Sequence, residues 1–388
     1  MTGLKGEYMK LSRSMKIAVI ALTTSVAAAT SSFAGVSITG SGSTFAGPLL
    51  DSCKAAWQTA TGNTVTYSGG GSGTGRKNAD AGIGDFNFSD ATYTPAKSTI
   101  LHIPVVAAPL AIAYHLNSTK QLYLSAKTLS DIFAGNITMW NDPAIVADNN
   151  TTSPVVTFKK DAAGNVVKDS KGAPVIAKTT QVKRYYTLPN QKITVVYRAD
   201  SSGSTQNLVN MFIKKFPTTW TKASAGSFAS VFPGSINGTG NIGRFQSATG
   251  SSNVAALVKK TPYSIGYMEA SFASAQGLGL AALGNASGSY QLPDAGGTAA
   301  FLNAATASAD GKLTFDYETA DKGAYILGIV SYALVNSATT GASADAAKSF
   351  LTAVLDASCP KTNSALQYTT ITGSLLATDK ALIAKLGA

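Results

Sequence analysis

Residues 193–216 read ITVVYRADSSGSTQNLVNMFIKKF, and they contain the unit that decides the fold. Ile193–Tyr197 is a short, apolar, β-branched run of the kind that makes a buried strand. Arg198–Thr205 is a polar loop rich in Ser and Gly. Gln206–Phe216 then carries the spacing of a helix. The same order appears at Val36–Gly40, where a strand pattern runs into Ser41-Gly42-Ser43-Thr44-Phe45 and a helix from Pro48 through Trp57. It appears again at Asn63–Ser68, followed by Gly69-Gly70-Gly71-Ser72-Gly73-Thr74-Gly75 and a helix expected from Arg76. Strand, polar loop and helix in repetition predict an α/β fold with parallel strands.

Outward from these units the pattern continues. Asp85–Ser89 leads to Asp90. Leu101–Tyr114 is apolar but interrupted by Pro104 and Pro109, which predicts two strands crossing between lobes. Thr128–Phe133 and Ala344–Leu355 have helical spacing, and Ala324–Val335 reads as a late strand. Residues 149–192 differ from the rest. Val, Thr and Lys alternate there around turn signals at Ala163-Gly164-Asn165 and Ser170-Lys171-Gly172, so a protruding β-hairpin is expected, with a disordered polar insertion as the alternative.

The chain has 388 residues, enough for two domains, and is 45% hydrophobic and 13% charged. That is too apolar for a disordered chain. Two Cys and two His leave no cluster for zinc or iron–sulfur ligation, so no metal and no cofactor are expected. Lys10, Arg13 and Lys16 precede an apolar run from Ile17 to Ala29, too short to span a bilayer, which ends in Ser32-Phe33-Ala34. Residues 1–34 thus read as a secretory signal peptide cleaved after Ala34, with Met9 or Met15 as alternative starts. No Cys follows for a lipid anchor, so a periplasmic or secreted chain is expected. Its two cysteines, Cys53 and Cys359, are expected to pair, two buried inert thiols being the alternative.

Without residues 1–34 the chain holds 27 basic and 19 acidic residues, a net +8. Residues 149–192 carry +6 of that, from Lys159, Lys160, Lys168, Lys171, Lys178, Lys183, Arg184 and Lys192 against Asp161 and Asp169. The remainder is near neutral, which argues against a nucleic-acid-binding surface.

The three loops share one chemistry. Each places Ser or Thr among glycines between a strand end and a helix start, where backbone N–H groups and the helix dipole favour an anion. Ser43, Thr44, Ser72, Ser202 and Ser204 can add hydroxyl donors. Arg198 can grip an oxyanion through its fork, and Asp200 can hold that fork in place. Asp90 is unexpected beside an anion. It repels any ligand that lacks a proton to share; phosphate carries one at neutral pH and sulfate does not. The plainer alternative is that Asp90 caps a helix or a turn.

Enzyme signatures are missing. There is no G-x-S-x-G, no G-x-x-x-x-G-K-[ST] and no H-E-x-x-H. Gly238–Gly243 fits G-x-G-x-x-G, but no strand precedes it. His102 and His115 sit in apolar strand contexts and read as structural.

Several stretches together resemble one family, the phosphate-binding protein of the high-affinity bacterial phosphate ABC transporter. They are Gly40–Pro48 (GSGSTFAGP), Tyr67–Gly73 (YSGGGSG), Asp85–Asp90 (DFNFSD), Asp131–Pro143 (DIFAGNITMWNDP), the Arg198–Thr205 loop and Ser264–Glu269 (SIGYME). The resemblance implies a two-lobed periplasmic-binding-protein fold of type II, with mixed sheets flanked by helices and the ligand in the cleft between lobes. It divides the chain into lobe I (35–113 and 324–388) and lobe II (114–323). It places phosphate contacts on Thr44, the Phe45 backbone N–H, Ser72, Asp90, Arg198, Asp200, Ser202, Gly203 and Ser204. Asp90 would accept the phosphate proton and Asp200 would orient the arginine. Ser204 stands where the family commonly has Thr, and residues 149–192 replace a shorter connection. The implied role is a monomeric receptor, not an enzyme, that delivers inorganic phosphate to a membrane permease. The alternatives are a secreted phosphatase on the same anion cradle, or a surface protein docking an anionic partner through residues 149–192.

Overall fold

The computed structural model describes residues 35–356 and 367–387. Gly35–Ala388 forms one compact unit. The signal-peptide reading of residues 1–34 and the pairing of Cys359 lie outside the described residues.

The first stretch runs β1 (Ser37–Gly42), α1 (Gly47–Thr61), β2 (Thr64–Gly69), α2 (Ser72–Ala81), β3 (Phe86–Ser89) and β4 (Ile100–Tyr114). The middle adds β5 (Tyr123–Leu124), α3 (Ala126–Phe133), α4 (Pro143–Asn149), β6 (Thr152–Phe158), β7 (Ile176–Lys183), β8 (Thr194–Arg198), α5 (Gly203–Lys215), α6 (Phe228–Val231), β9 (Phe245–Ala248), α7 (Ser251–Lys260), β10 (Ser264–Glu269) and α8 (Ala270–Ala275). Then come β11 (Gly279–Leu280), β12 (Ala282–Gly284), β13 (Tyr290–Gln291), α9 (Ala295–Leu302), β14 (Thr306–Ala307), β15 (Leu313–Thr314), β16 (Gly328–Asn336), α10 (Ala342–Leu355), β17 (Thr369–Thr370) and α11 (Gly373–Ala384).

The main sheet has the order β2-β1-β3-β16-β4-β10-β8-β9. Strands joined through helices pair in parallel, as β1 does with β2 and β3, and β8 with β9 and β10. The centre is antiparallel. β4 is buried at all fifteen positions and changes partner along its length. Ile100–Pro109 pair with β16, and Leu110–Tyr114 pair with β10.

The two expected strands across Leu101–Tyr114 are therefore one. Both prolines fall where the ladder is already interrupted. Pro104 lies opposite Tyr332, beside an irregularity between Ser331 and Tyr332, and Pro109 lies opposite Gly328, where β4 leaves β16. A missing N–H costs little at such places. The helix expected from Arg76 begins four residues earlier, at Ser72, behind Gly71 with φ +82°. The glycine run thus supplies the helix start itself, because the left-handed backbone that turns into α2 is open to glycine.

This topology positions the site. Tyr332 of β16 is level with Ser89 of β3 and with Pro104 of β4, whereas Glu269 of β10 is level with Leu110. β3 runs in the same direction as β4, and β10 runs against it. The C-terminal ends of the β1–β3 group and the β8–β10 group therefore point at one another across the stretch Pro104–Leu110, about 20 Å of strand. Loops from both groups fill that gap. Residues 149–192 hold the antiparallel pair β6–β7, with β7 exposed along nearly its whole length.

Candidate functional site

Four of the parallel strands, β1, β2, β8 and β9, end in a loop that starts a helix, and these ends meet near the end of β3. Ser43 and Thr44 lead into α1, Gly71 and Ser72 into α2, Ser202 and Gly203 into α5, and Gly250 and Ser251 into α7. A helix start exposes N–H groups without backbone partners and carries partial positive charge. Here several such starts surround buried charged side chains.

Asp90 follows β3 and is 3% exposed. Its Oδ1 accepts from Ser331 Oγ at 2.6 Å, and its Oδ2 accepts from Ser72 Oγ at 3.2 Å. Its backbone N–H donates to Ser72 Oγ at 3.0 Å. Burial and the charge of Glu269 push the Asp90 carboxyl up; hydrogen bonds from Ser331 and Ser43 and the charge of Arg198 pull it back, leaving it at about 6. Asp90 is thus a proton acceptor poised near neutral pH.

Arg198 closes β8 and is 2% exposed. It donates through Nε to Asp200 Oδ1 at 2.8 Å, through Nη2 to Asp200 Oδ2 at 2.5 Å and through Nη1 to Ser251 Oγ at 3.0 Å. Asp200 Oδ1 also accepts from the Gly250 N–H at 3.0 Å. Burial works against both charges, but each outweighs it for the other. Asp200 stays below the usual carboxylate range, and Arg198 is raised. The forked pair fixes the guanidinium plane, which a point charge would not do.

The two strand groups touch at this place. Gly203 opens α5 directly against Asp90: a Cβ there would lie 2.6 Å from Ser72 Oγ, 2.7 Å from Asp90 Cβ and 2.9 Å from the Asp90 nitrogen. The Gly73 N–H donates to the Ser201 carbonyl at 2.9 Å, and Asn207 Nδ2 donates to the Asp90 carbonyl at 2.5 Å. Arg76 Nη1 donates to Gln206 Oε1 at 2.5 Å. Thr44 Oγ1 lies 3.5 Å from Ser251 Oγ. Ser202 caps α5, accepting from the Thr205 N–H at 3.3 Å. Ser204 is buried and donates through Oγ to Glu269 Oε1 at 2.6 Å.

Thr44, Ser72, Asp90, Arg198, Asp200, Ser202, Gly203 and Ser204 are thus brought together. Phe45 is buried beside them, and its N–H donates to Ser43 Oγ at 3.0 Å. Sequence reasoning missed three neighbours. Ser251 follows a glycine and opens a helix, the same signal as the other three loops. Ser331 lies in the middle of β16, between Val330 and Tyr332. Glu269 is the acid that closes SIGYME. His102 lies instead against the rings of Tyr93 and Tyr332, at 5.3 and 6.1 Å. Gly238–Gly243 forms turns ahead of β9, and no helix starts there.

The PBP superfamily domain model matches residues 27–358, most of the chain. The chain belongs to the PBP superfamily. Among curated relatives of this PBP-superfamily chain, the phosphate-binding protein PstS 3 of Mycobacterium tuberculosis (strain ATCC 25618 / H37Rv) is 32% identical over 233 residues, 58% of this chain and 50% of that protein. The phosphate-binding protein PstS of Pasteurella multocida (strain Pm70) is 32% identical over 264 residues, 66% of this chain and 63% of that protein. The match thus spans about half to under two thirds of these relatives' lengths. A high-affinity periplasmic phosphate-binding protein solved with phosphate bound has the same fold, with a TM-score of 0.63, 19% identity, and coverage of 89% of this chain and 93% of that one. So has the phosphate-binding protein of Stenotrophomonas maltophilia, with a TM-score of 0.58, 17% identity, and coverage of 91% and 95%. The PBP superfamily fold agrees with the mixed sheet described above. Among the described residues, no helix is long and apolar enough to cross a membrane.

Proposed function

We propose that this protein is an extracytoplasmic receptor that captures inorganic phosphate between its two strand groups and hands it to the permease of an ABC transporter. One observation carries the reading. A buried carboxyl at Asp90, poised near pH 6, faces a buried arginine held by Asp200, at a point where helix starts from both groups converge. A fully ionised anion would leave Asp90 against a bare oxygen, whereas monohydrogen phosphate gives Asp90 its hydrogen and receives donors from Arg198 and the N–H groups of the helix starts.

Thr44, Phe45, Ser72, Asp90, Arg198, Asp200, Ser202, Gly203 and Ser204 form the ligand shell in this account, with Ser251 added as the hydroxyl that shares Arg198. No bond is made or broken. Residues 35–113 with 324–388, and 114–323, act as two lobes. Their approach strips water from the anion and completes its hydrogen bonds, and the closed form is what the permease reads. In this reading the chain works as a monomer in the periplasm after loss of residues 1–34, and it has no catalytic residue. Cys53, buried on α1 and not a free thiol, pairs with Cys359. Titration calorimetry of residues 35–388 with inorganic phosphate tests the role. The expected result is saturation at one phosphate per chain; no heat of binding would refute it.

A further inference from the structure

Ser204 has one hydroxyl hydrogen, and in the structure that hydrogen goes to Glu269 Oε1, 2.6 Å away. Both side chains are buried, Glu269 completely. A serine whose hydrogen is committed to a carboxylate offers its other neighbours lone pairs alone. That is the wrong polarity toward an anion. Ser204 can serve phosphate as a donor if Glu269 becomes the donor in the Ser204–Glu269 bond, and a carboxyl group donates when it is protonated.

A second observation points the same way. Among the described residues, Glu269 Oε2 is buried with no hydrogen-bond partner. A carboxylate oxygen held this way is costly, whereas a carboxylic acid tolerates it. Among the described residues, the groups around Glu269 have their donors engaged elsewhere. Asp90 and Arg198 are the charged groups facing Glu269, and Arg198 is engaged by Asp200 and Ser251. Tyr368, which also faces Glu269, donates its hydroxyl to the Phe45 carbonyl. Tyr267, two residues earlier on β10, is bonded to Thr205 and to the Arg198 N–H. Leu110, opposite Glu269 on β4, is uncharged. The carboxyl groups of Asp90, Asp200 and Glu269 already lie about the site, with the guanidinium of Arg198 and, on the Asp90 side, that of Arg76, before a doubly charged anion is added.

We propose that Glu269 is a positioning residue that takes up one proton as phosphate binds, donates it to Ser204, and so turns the Ser204 hydroxyl toward the anion. This rests on the phosphate reading above. The hydrogen of monohydrogen phosphate goes to Asp90, so the proton on Glu269 comes from solvent; one O–H bond forms, and Ser204 merely rotates.

The test is phosphate titration calorimetry at about pH 8 in buffers of different ionisation heat, where the slope of observed heat against buffer heat counts protons taken up per phosphate. The wild type is expected to give a slope of about one proton. Glu269→Gln keeps the size and can donate through its amide, so it should bind within about tenfold of wild type with a slope near zero. Asp90→Asn, which removes the other buried acid, should keep the wild-type slope. A wild-type slope of zero, equal slopes in wild type and Glu269→Gln, or loss of the slope in Asp90→Asn each overturns the proposal while leaving the phosphate reading standing. Absence of binding to the wild type overturns both. If Glu269→Gln does not fold, the wild-type and Asp90→Asn slopes decide the matter.

Discussion

Gly203→Ala isolates the closure of the site from its chemistry. The added methyl carbon would sit 2.6 Å from Ser72 Oγ, 2.7 Å from Asp90 Cβ and 2.9 Å from the Asp90 nitrogen. Two of those atoms belong to backbone or to a carbon fixed by it, so rotation of one side chain cannot relieve the clash. Ser72 and Asp90 belong to the β1–β3 group and Gly203 to the β8–β10 group, so the strain arises when the groups meet. Inserting one methyl group into a packed interior costs about 1–3 kcal/mol. That corresponds to a phosphate Kd weakened about 5- to 150-fold. Gly203 begins a helix, and its backbone is open to alanine, so the ligand-free protein should be no less stable and could gain up to about 1 kcal/mol from a stiffer unfolded chain. Calorimetry gives the Kd, and urea unfolding without phosphate gives the stability. A Kd within twofold of wild type would refute the reasoning, and so would a ligand-free destabilisation equal to the binding loss.

Other substitutions test parts of the same picture. Asp379 on α11 is buried with neither carboxyl oxygen partnered among the described residues, and burial pushes it up to about 8. A folded-state acid raised in this way holds a proton that the unfolded chain has released, so its contribution falls as pH rises from about 4 to about 8. Asp379→Asn should therefore gain on wild type across that window, reaching on the order of a few kcal/mol at about pH 8, by urea unfolding at a series of pH values. A difference that does not change with pH would count against it. Arg184 follows β7 and lies between the rings of Tyr123 and Tyr290, at 4.2 and 4.3 Å. Arg184→Ala should cost about 2 kcal/mol of stability, and Arg184→Lys should recover less than half, because an ammonium cannot stack flat on two rings. Equal stability of all three proteins would show that the stacking contributes nothing.

Much of the fold was legible in the sequence where local chemistry and topology agree. The unit at 193–216 reads as strand, loop and helix because its apolar run, its hydroxyl-and-glycine loop and its helical spacing all follow local rules, and the structure places β8 and α5 there within a few residues. Read locally, the two prolines of β4 divide one strand into two. Whether proline breaks a strand depends on the partner opposite, and the irregularity in β16 and the change of partner at Leu110 are long-range facts. The start of α2 is hidden because a run of glycines looks like a loop until a neighbouring group fixes its conformation. The site residues on the three loops were legible from their shared pattern. Ser331 and Glu269 were not, because they sit in strands whose local signal is burial; they join the site through sheet register. Ser251 carries a readable signal, a hydroxyl behind a glycine at a helix start.

The central claim concerns the proton on the ligand. The most direct measurement is a pair of calorimetric titrations, phosphate and sulfate, on the wild type and on Asp90→Asn at the same salt and about pH 7. The account predicts that wild type binds phosphate at least about a hundredfold tighter than sulfate, since a buried charge left facing another without a hydrogen costs about 3 kcal/mol or more. It predicts that Asp90→Asn narrows that gap, chiefly by binding sulfate better. Comparable binding of both anions by the wild type, or an undiminished gap in Asp90→Asn, would contradict it.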